Sequence, residues 1–185
     1  MSGPQLSQRR CAIIGAPGYS GAEVVSILCE HPGAEIVGLF GSEQRGGAGE
    51  AAQSFGDIFP RFRGVCDLPV QAASIEAIVA CEPDAVFLAT PHAVSHDLAP
   101  QLVKQGMTVF DLSGAFRLSD PALYPAHYGF EHAHTDALAS AVYGLPELNR
   151  DAIAGASLIA VPGCYPTSAI LALAPLARAG AIAPG

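Results

Sequence analysis

The chain has 185 residues, of which 50% are hydrophobic and 14% are charged. This composition excludes an intrinsically disordered protein, because disorder requires low hydrophobicity and high charge. The net charge is −8 and Lys104 is the single lysine, which makes nucleic acid and anionic lipid poor partners. An anionic ligand therefore requires a few local cations or backbone donors.

The cysteines and the apolar segments indicate a cytoplasmic location. The five cysteines are odd in number and form no C-x-x-C pair; they are Cys11, Cys29, Cys66, Cys81 and Cys164. We therefore expect no disulfide framework, no zinc site and a reducing compartment. No apolar signal core follows the polar residues 1–10, and the apolar run 168–182 is too short and too interrupted to span a bilayer.

Short β-rich runs alternate with helical patterns along the chain. The runs predicted to be strands are residues 11–14, 35–40, 85–89, 108–112 and 157–161. The stretches predicted to be helices are residues 21–30, 74–81, 95–105 and 167–179, the last kinked or strained at Pro175. This alternation predicts an α/β fold, a Rossmann-like doubly wound parallel sheet with helices on both faces.

Three local patterns refine this prediction. Ser20 and Glu23 form an S-x-x-E pattern, which predicts a capping box at the start of the first helix. Residues 41–56 hold many glycines and alanines and are predicted to form a loop. Residues 118–150 hold several prolines and aromatic residues, and we expect an irregular segment that packs on the surface near a site.

The first predicted strand leads into a glycine-rich turn and then a helix. Gly15, Gly18 and Gly21 recur every three residues, with Tyr19 and Ser20 between the last two. Strand, glycine turn and helix are the context of a dinucleotide site, in which backbone N–H groups at the helix N-terminus face a pyrophosphate. The spacing is G-x-x-G-x-x-G instead of G-x-G-x-x-G, so an ordinary strand-to-helix turn stays open as an alternative.

The residues after the second predicted strand bear on the choice of cofactor. Ser42 and Arg45 are candidates to hold a 2′-phosphate, which favours NADP. Glu43 is a competing candidate to bind ribose hydroxyls, which would favour NAD. An alternative for Arg45 is a solvated loop cation.

Cys164 lies between a predicted strand and a predicted helix. A thiolate at a helix N-terminus gains from the helix dipole and from free backbone N–H groups. Pro166 suits the first turn of that helix. The alternative is a buried structural cysteine, which is the interpretation we give to the other four because each lies in or beside an apolar run.

Five segments of the chain together resemble one family, N-acetyl-gamma-glutamyl-phosphate reductase of arginine biosynthesis. They are residues 15–21 (GAPGYSG), 89–95 (ATPHAVS), 111–118 (DLSGAFRL), 142–148 (VYGLPEL) and 162–167 (PGCYPT). They recur in the order of the family. The glycine loop is shared with the wider semialdehyde dehydrogenase superfamily, whereas the cysteine segment and the YGLPE segment are much more specific.

The resemblance implies NADP(H) as cofactor and N-acetylglutamyl 5-phosphate as substrate, which would be reduced to the semialdehyde with release of phosphate. Cys164 matches the nucleophile that forms a thioester. Arg117 matches an arginine that binds phosphate in relatives, and the alternative for it is a salt bridge to Asp111 or Asp120. Pro91, with its neighbours, follows the strand at which cofactor loops lie in this fold.

The resemblance also implies a second domain and a homo-oligomer. Residues 1–150 would form the NADP-binding domain, without the last helix that the family supplies from its far C-terminus. Residues 151–185 would begin an α+β substrate and dimerisation domain, because family members are much longer than this chain. Their catalytic histidine lies downstream of the cysteine and matches none of the six histidines here, so we expect this polypeptide alone not to turn over substrate.

Two alternatives remain from the sequence. The first is the related reductase of carrier-linked aminoadipyl phosphate in lysine biosynthesis, and the second is a truncated, non-catalytic nucleotide-binding fragment. Aspartate-semialdehyde dehydrogenase is disfavoured because its cysteine segment differs from GCYPT. His132 and His134 form an H-x-H pair without an evident third ligand, so no metal site is predicted, and His96 is interpreted as a structural or surface residue.

Overall fold

The computed structural model describes residues 8–42 and 52–182. The strands in this part of the chain are β1 (Arg9–Ile14), β2 (Ala34–Gly41), β3 (Val70–Ala72), β4 (Ala85–Leu88), β5 (Thr108–Asp111), β6 (Val142–Tyr143) and β7 (Leu158–Ala160). The α-helices are α1 (Tyr19–Glu30), α2 (Phe55–Ile58), α3 (Ile75–Ala80), α4 (His92–Lys104), α5 (Tyr124–Tyr128), α6 (Thr135–Ser140), α7 (Pro146–Ala154) and α8 (Cys164–Arg178).

All of these strands join one parallel sheet in the order β3-β2-β1-β4-β5-β7-β6. From β1 the chain moves outward to β3, and it then returns to the centre and continues from β4 toward the opposite edge. The connections on either side of β1 therefore diverge, which is the topological switch point of a doubly wound sheet. The predicted Rossmann-like parallel sheet is confirmed.

Alternate residues of β1 supply two separate cores. Cys11 and Ile13 face a layer that contains α1 and the aromatic rings of Phe55 and Phe62. Ala12 and Ile14 face the opposite layer, which contains α3, α4 and α5. Because both faces of the strand are buried, its sequence is apolar without alternation, as expected for a parallel sheet between two helical layers.

The start of α1 differs from the prediction. The helix begins at Tyr19 with Gly18 as its N-cap, and no side chain caps it. The predicted capping box is therefore wrong, because Ser20 already lies in the first helical turn. Glu23 instead forms an ion pair with Arg61.

Several short elements were not predicted. Residues 118–150 contain α5, α6, β6 and the start of α7, so the expected irregular segment is wrong. Most of these elements have only two to six residues, so they show little hydrophobic periodicity. The strand β3 and the helix α2 were missed for the same reason. The long helices α4 and α8 begin three residues earlier than predicted, at His92 and Cys164.

The sheet extends past the predicted domain boundary at residue 150. Strand β7 pairs with β5 in register Val109 to Leu158, so residues 158–160 belong to the same sheet as the preceding strands. The division into residues 1–150 and 151–185 stays a prediction. Among the described residues, no helix combines the length and the apolar character needed to cross a membrane.

The packing of Gly21 yields a first prediction. A Cβ atom at this position would lie 2.2 Å from the Gly15 carbonyl oxygen and 2.7 Å from the Ala16 Cα atom. We expect Gly21→Ala to reduce the free energy of unfolding by about 2–3 kcal/mol, because the backbone must shift to admit the methyl group. Urea denaturation followed by circular dichroism measures this.

The matched control is Gly155→Ala, since a Cβ atom there meets no heavy atom within 4 Å. This variant should change the free energy of unfolding by less than about 1 kcal/mol. Equal denaturation midpoints for Gly21→Ala and the unchanged chain would contradict the prediction.

Candidate active site

A cleft of about 780 Å³ opens at the switch point, beside the C-terminal ends of the central strands. It is lined by the residues that follow β1, β2, β3 and β4 and by one side of α4. They are Ile14, Gly15, Pro17, Gly18, Gly41, Ser42, Ala73, Ala89, Thr90, Pro91, Val94, Asp97 and Leu98. A crevice at this position is where open α/β sheets bind their ligands.

The three glycines of the predicted dinucleotide loop have different structural tasks. Gly15 has a φ of +84°, and a Cβ atom on it would lie 2.2 Å from the Ala89 carbonyl oxygen. Gly21 is buried directly against Gly15. Gly18 is exposed to the cleft, where a Cβ atom would lie 3.2 Å from the Gly15 oxygen. The first and third glycines therefore allow close packing, and the second leaves space for a ligand.

The first turn of α1 presents free donors next to this space. The Ala22 N–H donates to the Gly18 carbonyl, whereas the N–H groups of Tyr19, Ser20 and Gly21 have no backbone acceptor among the described residues. The side chain of Tyr19 is 97% exposed, so it does not cover them. Free N–H groups at the positive end of a helix fit a pyrophosphate, and the open surface at Gly18 gives it room.

The two sides of the cleft differ in chemistry. Ser42, which was predicted to contact the cofactor, lies exposed at the end of β2 and lines the cleft, as does Pro91 after β4. Arg45 and its competitor Glu43 lie outside the described residues. Ala73, Val94 and Leu98 also line the cleft, and their apolar side chains suit the face of an aromatic base.

Cys164 lies farther along the same edge of the sheet. It is the first residue of α8, its N-cap is Gly163, and its side chain is exposed. The strand that precedes it, β7, is separated from the switch point by β5 and β4. The cleft and the cysteine therefore share the C-terminal edge of one sheet.

Comparison with known proteins identifies the family. A family model described as the NAD-binding domain of semialdehyde dehydrogenase matches residues 10–156. The chain belongs to this family. The glycine loop and the cleft fall within the matched segment, and β7 lies just beyond its end.

Curated relatives confirm the more specific resemblance. N-acetyl-gamma-glutamyl-phosphate reductase of Salmonella typhi is 50% identical over 168 residues, which cover 91% of this chain and 49% of the relative. The protein of that name from Yersinia pestis is 52% identical over 164 residues, which cover 89% and 48% of the two chains. The chain thus spans about half the length of the curated relatives it matches.

Solved structures support the fold. Aspartate semialdehyde dehydrogenase with NADP from Candida albicans aligns with a TM-score of 0.66 at 18% identity, over 93% of this chain and 47% of that one. Aspartate semialdehyde dehydrogenase II from Vibrio cholerae, complexed with ASA, aligns with a TM-score of 0.64 at 22% identity, over 94% and 47%. At these identities the likeness concerns the architecture of the semialdehyde dehydrogenase domain alone.

Arg117 lies beside the loop that joins β7 to α8. Its Nε donates to the Val161 carbonyl at 2.8 Å, and its Nη2 donates to the Leu112 carbonyl at 2.7 Å. The described residues contain no ion pair between Arg117 and Asp111 or Asp120. The salt-bridge alternative from the sequence is therefore not observed.

A buried aspartate anchors the loop after β5. The carboxylate of Asp111 accepts hydrogen bonds from the Ser113 N–H at 2.9 Å and from the Ser113 hydroxyl at 3.0 Å. Burial raises the pKa of Asp111, while the bonds from Ser113 oppose that shift. The Ser113 oxygen in turn accepts from the Ala115 N–H at 3.0 Å. The sequence pattern did not reveal this network, because Asp111 is a polar residue at the end of an apolar run.

Two histidines fix the same loop from outside. The Gly114 N–H donates to Nδ1 of His92 at 2.8 Å. Nε2 of His132 lies 2.9 Å from the Ala115 carbonyl, to which it donates. Among the described residues, Nδ1 of His132 is the one buried side-chain nitrogen or oxygen atom without a hydrogen-bond partner. Neither role was predicted, because both contacts join residues far apart in the sequence.

The structure places one member of the H-x-H pair, His134, in a cluster with His96 and Asp97. Nitrogen atoms of His96 and His134 and a carboxylate oxygen of Asp97 lie within 4.8 Å of one another. However, Nε2 of His96 accepts the Ala133 N–H at 3.1 Å, so its proton lies on Nδ1, which donates to Asp97 at 3.1 Å. This leaves fewer free lone pairs than the three or four ligands of a protein zinc site. The structural interpretation of His96 agrees with this bonding, and the absence of a metal site stays a prediction.

His132 yields a prediction about pH. Burial lowers its pKa from the ordinary value of 6.5, because a protonated Nδ1 would lack an acceptor. The folded chain therefore prefers neutral His132. The resulting stability is complete above pH 6.5 and is lost as the pH falls toward the lowered pKa. Urea denaturation at pH 7.5 and 5.5 should show that His132→Gln loses less stability on acidification than the unchanged chain.

Exposed His127 provides the control for this measurement. His127→Gln should leave the acid sensitivity of the free energy of unfolding unchanged. An equal loss of stability on acidification in His132→Gln and His127→Gln would show that His132 is not the responsible group.

The cysteines yield a further prediction. Burial raises the pKa of Cys11 and Cys66. Cys29 was expected to be buried but is exposed; partial burial of its thiol beside Cys66 nevertheless raises its pKa to about 11. We expect iodoacetamide at pH 7.5 to alkylate Cys164 at least roughly tenfold faster than Cys29, because the thiolate is the reacting form. Peptide mass spectrometry measures the rates.

The urea-unfolded chain is the control for this reactivity, since all five thiols should then react at similar rates. Cys164→Ser shows which label belongs to the proposed nucleophile. Preferential labelling of Cys29 in the folded chain would contradict the prediction.

Proposed function

We propose that the chain provides the cofactor site and the nucleophile of an NADPH-dependent reductase that converts N-acetyl-L-glutamyl 5-phosphate to the 5-semialdehyde in arginine biosynthesis. The observation that carries this proposal is the position of exposed Cys164 at the start of α8, on the same sheet edge as the dinucleotide cleft. The name shared by the curated relatives supports the choice of substrate, although the chain spans only about half of their length.

The proposed chemistry begins at the sulfur of Cys164. The thiolate attacks the acyl carbon, the bond from that carbon to the phosphate oxygen breaks, and a thioester forms as inorganic phosphate leaves. NADPH, when bound, supplies the hydride that reduces the acyl group. Release of the aldehyde returns the electron pair of the C–S bond to sulfur.

Different residues of the chain would bind the cofactor and the substrate. The first turn of α1 and the open surface at Gly18 would bind the cofactor pyrophosphate. The predicted phosphate ligand of the substrate is Arg117, whose Nη1 has no backbone acceptor among the described residues. Cys164 follows Gly163, which packs near that guanidinium.

We propose NADP instead of NAD as the physiological cofactor. Ser42 supports this choice because it lies at the end of β2, at the rim of the cleft where the adenosine ribose of a dinucleotide binds. The predicted partner of the 2′-phosphate is Arg45. The proposal includes a cytoplasmic location, which the five free cysteines support.

The proposal also includes a second domain that begins within residues 151–185, and a homo-oligomer. The apolar residues that α8 exposes support additional packing around this helix. They include Leu171, Leu173 and Leu176.

Turnover by Cys164 tests the proposed function. The assay follows NADPH formation from N-acetylglutamate semialdehyde, phosphate and NADP. It is run on the chain and on the chain joined to the remaining part of the Salmonella relative. We expect turnover in the joined protein, and Cys164→Ser should abolish it by at least roughly 10³-fold, because a hydroxyl is a much weaker nucleophile than a thiolate. NAD should support a lower kcat/KM than NADP.

Cys29→Ser is the matched control and should retain full activity, because this thiol lies outside the candidate site. Activity that survives in Cys164→Ser would refute the role of the cysteine. Tight NADP binding without turnover in either protein would instead favour a nucleotide-binding module.

A further inference from the structure

Arg117 connects the ends of two strands. Its two backbone acceptors, the carbonyls of Leu112 and Val161, each belong to the residue that directly follows a strand, β5 in one case and β7 in the other. The Val161 N–H also donates to the Asp111 carbonyl at 2.9 Å, which continues the pairing of the two strands. The guanidinium therefore links the backbone after β5 to the backbone after β7, at the point where the chain leaves the sheet toward α8.

This closure lies next to the nucleophile. Two residues separate Val161 from Cys164, and the second of them, Gly163, is the N-cap of α8. A Cβ atom on Gly163 would lie 3.3 Å from Nη1 of Arg117, so the guanidinium packs directly against the cap. The Thr167 N–H donates to the Gly163 carbonyl at 3.0 Å and completes the first turn. The position of Cys164 relative to the sheet therefore depends on the backbone that Arg117 holds.

The same contacts restrict what else Arg117 can bind. A bidentate contact to phosphate uses two parallel N–H groups of the fork. Here Nε and Nη2 already donate to carbonyl oxygens at 2.8 Å and 2.7 Å, and Nη1 is the nitrogen that has no backbone partner. A bidentate grip through Nε and Nη2 would release the carbonyls of Leu112 and Val161.

We propose that Arg117 is a positioning residue for Cys164, which it serves by clamping the backbone after β5 to the backbone after β7. This inference rests on the proposed role of Cys164 and adds a role for Arg117 beyond that of a phosphate ligand. A lysine keeps the charge but is a single point donor, so it cannot bridge both carbonyls with a rigid fork. Arg117→Lys therefore separates the clamp from the charge.

Amide hydrogen exchange followed by NMR tests the clamp in the 185-residue chain. The reporters are the N–H groups of Val161 and Thr167. The first belongs to the residue whose carbonyl Arg117 binds, and the second donates to the carbonyl of Gly163, two residues further along. We expect exchange at these two amides to accelerate roughly tenfold or more in Arg117→Lys and in Arg117→Gln, because each variant loses charged hydrogen bonds. Iodoacetamide should also alkylate Cys164 more slowly in both variants.

Arg61→Lys is the matched control, since Arg61 is exposed and pairs with Glu23 of α1 instead of bonding the backbone after β5 and β7. Exchange and alkylation should match those of the unchanged chain, and circular dichroism establishes that each variant is folded. If Arg117→Lys shows the same exchange and alkylation as the unchanged chain, only the charge matters and the clamp is refuted.

The unchanged chain offers a second test that requires no substitution. Addition of inorganic phosphate should leave the exchange of Val161 and Thr167 unaltered, because the clamp stays in place. Faster exchange with phosphate would show that the guanidinium leaves the carbonyls for the anion, which would overturn the proposal. An unreactive Cys164 in the unchanged chain would contradict the proposed function instead, while the exchange rates still report on the clamp.

Discussion

The contact between Gly15 and Ala89 determines where the ligand cleft can form. The two backbones approach so closely that a Cβ atom on Gly15 would lie 2.2 Å from the Ala89 oxygen. This approach continues the pairing of β1 with β4, since the Ala89 N–H donates to the Ile14 carbonyl at 2.8 Å. Gly21 then packs on Gly15, which places the first turn of α1 at the end of β1 with its donors free. The close packing of β1, β4 and α1 at the switch point requires that both positions lack a side chain.

The loop after β5 is held from several directions. Asp111 and Ser113 anchor it from within the sheet, and His92 and His132 bind its backbone from the side of α4 and α5. The Tyr124 hydroxyl bonds the backbone at the end of the loop. A loop with this many fixed backbone groups has few alternative conformations. Polar contacts and the buried side chains of Ala115 and Phe116 therefore hold this loop together.

The sequence was sufficient to predict the central architecture and the ends of the cleft. Strands β1, β2, β4, β5 and β7 are mainly apolar runs, and their positions were predicted within two residues. Gly18, Ser42 and Pro91 line the cleft because they lie within four residues of the ends of strands, which is a local property. Hydrophobic periodicity also predicted the helices that cover the sheet, although not the residues at which they begin.

Other parts depend on contacts between distant residues, which no local pattern shows. Arg117 reaches a carbonyl 44 positions away, and His96 accepts an N–H from 37 positions away. The capping box failed for a related reason, because the S-x-x-E pattern at Ser20 competes with a glycine cap two residues earlier. The packing of Gly21 against Gly15 places the helix start at Gly18, and this tertiary contact outweighs the local preference for a side-chain cap.

The lengths of the edge strands affect how the chain behaves at high concentration. The sheet ends in β3, with three residues, and β6, with two residues, so each edge offers few unpaired backbone groups to a neighbouring molecule. Short edges are a known protection against intermolecular β-pairing. In contrast, α8 presents apolar side chains to solvent along its length, including Leu173, which is 51% exposed. Self-association of the isolated chain should therefore proceed through a helical surface and preserve the native β-content, without formation of cross-β fibrils.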